Sequence, residues 1–133
     1  MNASDRRLGW AKNYRNPDVV VYFADSPAVS HGTHWQGGPD FAVEVVSPGE
    51  NVRAKFPFYA AVSTRELLVV LRDPWALELW RPVAGVMTLA CRTEPGQAAC
   101  DSAVMPLWFA LLPGVARPTL AMTGAPTGRV WTA

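Results

Sequence analysis

Three side chains in this sequence have the types and spacing to do chemistry together: Asp18, Glu44 and Lys55. Glu44 sits inside an otherwise apolar run, Phe41 to Val46, where a charge is costly unless it has a partner. Two carboxylates a few ångströms apart repel unless a cation or a shared proton intervenes. Oxygen donors in that number, with water completing the shell, suit magnesium or manganese. A lysine beside such an ion can orient an attacking water and stabilise negative charge on a phosphate as it becomes five-coordinate. The plainer reading is a buried ion pair of Glu44 with Lys55 or an arginine. Such pairs are weakly stabilising at best, so keeping one argues mildly for use.

These residues need elements to position them. "PDVVVYF", Pro17 to Phe23, is a β-branched and aromatic run bounded by turn residues, which reads as a strand opening at Asp18. "DFAVEVVS" is a second strand, apolar except at Glu44, as expected of a central strand covered on both faces. "ENVRAKFPFYAAVS" is the helix candidate, with Val52, Phe56, Tyr59 and Val62 recurring at steps of three and four. Pro57 requires that helix to start near Arg53, which puts the proline in the first turn. Paired strands would bring Asp18 and Glu44 to one edge, and a helix returning over the sheet would present Lys55 to them. "RELLVVLRD" reads as a buried strand and "ALELWRP" as one alternating with period two. "GVMTLACR" follows as their antiparallel partner, with Gly85 in the turn. The tail, "AVMPLWFALL", "PTLAMT" and "GRVWTA", is strand-like but interrupted by Pro106, Pro113, Pro118 and Pro126. The class is α/β (α+β): a mixed central sheet with one main helix.

Composition narrows the setting. The 133 residues make one small domain; 50% are hydrophobic and 17% charged, which suits a folded chain. No apolar run approaches the roughly 20 residues of a membrane helix, and the N-terminus carries no signal-peptide core. A soluble cytoplasmic protein with no membrane partner is the expectation. Twelve basic against 11 acidic residues give a charge of +1, too balanced for the usual nucleic-acid footprint. Arg6, Arg7, Lys12 and Arg15 read as a solvated arm. Cys91 and Cys100 flank "RTEPGQAA"; without a secretion signal reduced thiols are expected, although the arms of a hairpin could set them opposite each other. His31 and His34 in "HGTH" have zinc-like spacing but lack a second ligand pair, so a surface loop is expected. Trp35, Trp75, Trp80, Trp108 and Trp131 read mostly as core or interface.

"NPDVVVY", "GPDFAVEVVSP", "KFPFY" and "RELLVVLRDPWALELWRP" follow one another in a known order and spacing. The chain resembles the putative restriction endonuclease family of the Uma-two type (domain of unknown function 820), within the PD-(D/E)XK nuclease superfamily. The resemblance spans residues 17 to about 82 and is weaker in "MPLWFALLPGVARPTLAMT" and "GRVW". It implies a restriction-endonuclease-like fold in which Asp18 and Glu44 are metal-binding carboxylates. The superfamily usually places a lysine where Val46 stands; Lys55, four residues before Tyr59, matches the displaced lysine of this family. Asp40 is expected to start the second strand and not to bind metal. Compared with the family, the sequence lacks the usual N-terminal helix and strands. One domain is expected over residues 1–133, with a nuclease-like core at about 17–82 and a β-rich extension at 83–133. The resemblance implies a divalent-metal-dependent endonuclease that hydrolyses DNA phosphodiester bonds with Mg(II) or Mn(II), Asp18, Glu44 and Lys55 being catalytic. The alternative is a degenerate, non-catalytic member acting in DNA binding or oligomeric assembly, and an uncovered apolar face would favour a homodimer. A third reading is a small β-rich binding protein whose Glu44 is only structural.

Overall fold

The computed structural model describes the backbone of residues 3–4, 14–15, 17–31 and 35–133, and the side chains of residues 17–31 and 37–133. In chain order the strands are β1 (Ala3–Ser4), β2 (Tyr14–Arg15), β3 (Val19–Val21), β4 (Val29–Ser30), β5 (Trp35–Gln36) and β6 (Phe41–Val45). A 3-10 turn (Val52–Lys55) runs directly into α1 (Phe56–Ala61), followed by β7 (Glu66–Arg72), β8 (Trp75–Val83) and β9 (Val86–Thr93). The chain ends in β10 (Cys100–Asp101), β11 (Leu107–Leu112), β12 (Thr119–Gly124) and β13 (Val130–Thr132). This is the mixed α+β class expected from the sequence, and it is consistent with a restriction-endonuclease-like fold.

The central sheet has the order β3-β6-β7-β8-β9. Only β6 and β7 run parallel, with Glu44 beside Val69; the other pairings are antiparallel. A parallel pair needs a crossover, and the 3-10 turn with α1 supplies it. Pro57 falls in the first turn of α1, where its missing N–H has no helical partner to lose. Val52, Phe56, Tyr59 and Val62 all face inward, as their spacing predicts, and join Ala42, Leu67, Val69 and Trp80 in one core cluster. Close packing at the end of the helix depends on Gly38. Its N–H donates to Val62 O at 2.6 Å, and a Cβ there would lie 2.5 Å from the same oxygen.

The other face of the sheet carries Phe41, Leu68, Val70, Leu77 and Leu79, which pack against Phe109 and Leu111. Leu68, Leu77, Leu79 and Leu111 are almost fully buried, and each such side chain stabilises by about 1.5–3 kcal/mol. The tail is a regular antiparallel sheet, β10-β11-β12-β13, where the sequence suggested irregular β structure. The prolines punctuate it without breaking it: Pro106, Pro113, Pro118 and Pro126 all lie between strands. The two sheets diverge on one side, leaving an apolar cleft of about 710 Å³ whose walls include Val43, Val70, Phe109 and Leu120. On that face the cover of β6 is partial, with Phe41 buried, Val43 half-buried and Val45 exposed, whereas Glu44 on the helix side is buried; the sequence suggested cover on both.

Three further expectations change or find their physical reason. Cys91 and Cys100 form a disulfide between β9 and β10, contrary to the reduced state expected. Polar residues of β8 do not face solvent as its alternation suggested. Glu78 is buried against Arg92, and Arg81 reaches Glu66. The β8–β9 hairpin turns at Ala84 and Gly85, both at positive φ (51° and 78°), where glycine is unstrained. Trp80 is buried, whereas Trp108 and Trp131 are partly exposed. His34, Arg6, Arg7 and Lys12, and the side chains of Trp35 and Arg15, lie outside the described residues. Among the described residues, no helix is long and apolar enough to cross a membrane.

Candidate active site

Alternation along β6 decides where Glu44 points. Ala42 and Val46, two residues to either side, pack in the helix-facing cluster, so Glu44 points into that layer also. Its side chain is only 4% exposed. The helix layer supplies the partners such burial demands. Tyr59, itself fully buried, donates its hydroxyl to Glu44 Oε1. Lys55 Nζ lies 3.2 Å from Glu44 Oε2. Lys55 and Tyr59 are four residues apart, one helical turn, so both reach the same carboxylate from above.

Lys55 has a second partner. Its Nζ is also 3.2 Å from Glu50 Oε2, and Glu50 Oε1 accepts the Ser47 N–H at 3.3 Å across the loop. Burial by itself would push the Lys55 ammonium down. The charge and hydrogen bond of Glu44, with those of Glu50, outweigh it and raise the pKa above 10.5. Lys55 is therefore a cation at neutral pH, able to donate hydrogen bonds and unable to act as a base.

Asp18 approaches from the neighbouring strand. Its N–H donates to Val43 O at 3.1 Å, and its carboxylate Oδ2 accepts the Val45 N–H at 2.8 Å. It thus bonds to the residues on either side of Glu44, at the exposed end of the β3–β6 ladder. Of the three residues singled out by sequence, two touch directly and the third is stitched to the backbone beside them. Asp40 caps the start of β6: Oδ2 accepts the Phe23 N–H at 2.7 Å, and Arg65 lies 3.5 Å from Oδ1. Its charge, after burial as the larger cause, helps push the Tyr22 hydroxyl up to about 12.

Beyond the carboxyl ends of parallel β6 and β7 lies a small cleft of about 210 Å³, bordered by Val46, Ser47, Glu50, Arg72 and Asp73. Arg72 Nε is tied to Val46 O at 3.1 Å. Across the same face of the sheet, Glu44, Val69, Glu78 and Arg92 occupy one row. Glu78 accepts from Arg92 at 2.6 Å and from Trp80 Nε1 at 3.1 Å, a closed structural pair two strands from Glu44. Glu66 is on the opposite face, with no side-chain exposure, and accepts from Arg81, Ser102 Oγ and the Ala103 N–H. It fastens the β10 region to the central sheet. Among the described residues, no three His, Cys, Asp or Glu side chains gather at metal-binding range.

Two participants escaped the sequence reading. Tyr59 was placed in the core by its ring and used to locate Lys55 four residues before it; that the same one-turn spacing brings its hydroxyl to Glu44 went unread. Glu50 lies in a loop after Ser-Pro-Gly with no periodicity to assign it. Comparison with known proteins adds one positive finding. A family model described as Uma2, putative restriction endonuclease, matches residues 2–112. No curated protein matches the chain.

Proposed function

This chain belongs to the Uma2 family of putative restriction endonucleases, and we propose that Asp18, Glu44 and Lys55 form a nuclease centre that hydrolyses DNA phosphodiester bonds. The family points to a nuclease-like activity. The observation that carries the finer reading is the Lys55–Glu44 contact at 3.2 Å on a carboxylate that is otherwise buried. A charge pair placed only for stability gains little there over apolar packing.

The donor chemistry fits a divalent ion. Among the described residues, Asp18 and Glu44 offer carboxylate oxygens with no thiolate or imidazole bonded beside them, the hard set that magnesium and manganese prefer. Magnesium is commonly held by one or two carboxylates, with water and substrate phosphate completing its shell. Asp18 and Glu44 would hold the ion, which when bound neutralises charge on the reacting phosphate. Tyr59 fixes the orientation of the Glu44 carboxylate. Lys55, held as an ammonium, orients the attacking water and donates to the phosphate oxygens as negative charge grows on them. Water attacks phosphorus and gives up its proton to solvent, the P–O3′ bond breaks, O3′ takes a proton from solvent, and 5′-phosphate and 3′-hydroxyl ends result.

A second reading is a non-catalytic member that uses the fold for DNA binding or homo-oligomeric assembly. It is favoured by one observation: both oxygens of Glu44 already have protein donors. A plasmid-nicking assay with magnesium or manganese, run beside Glu44→Gln, separates the two. Metal-dependent nicking that disappears in the variant supports the nuclease centre; nicking that survives it, or none in either protein, refutes it.

A further inference from the structure

We infer that Glu50 is a positioning residue of this centre: it is the seat that takes Lys55 when a divalent cation claims Glu44. The inference rests on the nuclease reading above and names a residue which that reading does not use. Glu44 has two oxygens to offer. Oε1 is held by the hydroxyl of fully buried Tyr59, on the closed side of the helix layer. An ion must therefore meet Oε2, and that oxygen is where Lys55 Nζ sits, 3.2 Å away. An ammonium and a divalent ion cannot share one carboxylate oxygen without strong repulsion. Lys55 has to move.

The geometry points to where it goes. Glu50 Oε2 is already 3.2 Å from the same nitrogen, and Glu50 is anchored through Oε1 to the Ser47 N–H. Lys55 is 30% exposed on a flexible four-carbon stem with three donors, so a short swing toward Glu50 costs little. Two arginines nearby are committed elsewhere: Arg53 lies over the Trp80 ring at 5.3 Å, and Arg72 bonds Val46 O. Glu50 is thus the carboxylate that keeps Lys55 paired, and beside the reacting phosphate, once Glu44 is taken. Without Glu50 the displaced ammonium would lose both counter-charges, and ion binding would be penalised accordingly.

The test is Mn(II) affinity, read by electron paramagnetic resonance or calorimetry without substrate, in five proteins: wild type, E44Q, E50Q, K55M and E50Q/K55M. Urea midpoints verify that each is folded. Loss of a residue that orients a metal ligand typically weakens metal binding about 10–100-fold. E50Q is expected to weaken Mn(II) binding about tenfold, at the lower end of that range. In the K55M background the same change should move it less than about twofold, since Glu50 acts only through the lysine. Equal affinity in wild type and E50Q overturns the inference. So does an equal loss in both backgrounds, which would make Glu50 a direct ligand. Wild type that binds no Mn(II), or E44Q that binds it as well as wild type, overturns the nuclease centre itself along with this inference.

Discussion

Lys55→Met removes the cation from between two carboxylates, and its effect on stability can be worked from the contacts. Glu44 is left 4% exposed with, among the described residues, only the Tyr59 hydroxyl as donor. Breaking a fully buried pair by deleting one partner costs about 3–5 kcal/mol. Lys55 is 30% and Glu50 26% exposed, so solvent screens part of this, and about 2 kcal/mol is the working figure. Repulsion adds to the loss: Glu44 and Glu50 each have an oxygen 3.2 Å from the same nitrogen, so those oxygens lie within twice that distance of each other. In urea, followed by far-ultraviolet circular dichroism with chelator present, a loss of that size lowers the midpoint by about 1 M. E44Q/K55M, which removes both charges, should recover most of the loss, and the cycle should show a coupling above about 1 kcal/mol. The pH profile supplies a second arm. The pKa of Lys55 is raised in the fold, so its stabilisation is complete below pH 10.5 and disappears as pH rises through the folded value. Tyr22, whose pKa rises from 10.0 to about 12, loses its share over that interval in both proteins. K55M should therefore decline less steeply than wild type above pH 10.5. The reasoning is refuted if K55M lies within about 0.5 kcal/mol of wild type, the range of neutral surface changes. It is equally refuted if the double variant is no more stable than K55M.

Glu66→Ala should be more severe, about 3–5 kcal/mol, because it strands Arg81 and the Ser102–Ala103 turn; thermal unfolding by circular dichroism reads the loss, and a change under 1 kcal/mol would contradict it. Cys91→Ala should cost about 2–3 kcal/mol for a loop of some ten residues, and wild type should show a mass two daltons below its reduced form. A free-thiol assay that titrates both cysteines in the native protein would remove the basis for that figure.

The parts that local chemistry dictates were legible in the sequence. A glutamate in an apolar run needs a partner, and the lysine at the start of the next helix is that partner. Pro57 marked a helix start just before it, although α1 begins at Phe56 and Arg53, where the start was expected, lies in the preceding 3-10 turn; the three- and four-residue steps found the buried face. What escaped depends on long-range pairing. Nothing near Glu66 signals Ser102, which meets it only when the tail folds back over the sheet. The prolines of the tail suggested disruption because their spacing cannot tell a break within a strand from a turn between strands. Glu50 shows the same limit at the site: its contribution lies in where the loop carries it, and loops have no period to read. Cys91 and Cys100 are different: only nine residues apart, they could be placed opposite each other from the sequence, and what misled was the reduced state expected without a secretion signal.

The apolar cleft between the two sheets affects how any of these variants can be measured. At about 710 Å³ it falls within the range of ligand pockets, and its walls are almost entirely aliphatic and aromatic. Dyes such as anilinonaphthalene sulfonate, which brighten on leaving water, are ordinarily taken to mark loosened or partly unfolded protein. Here the native state offers them a berth of its own. Dye fluorescence should therefore start high and fall as the sheets separate, so an inverted melting curve would be the sign of an intact fold.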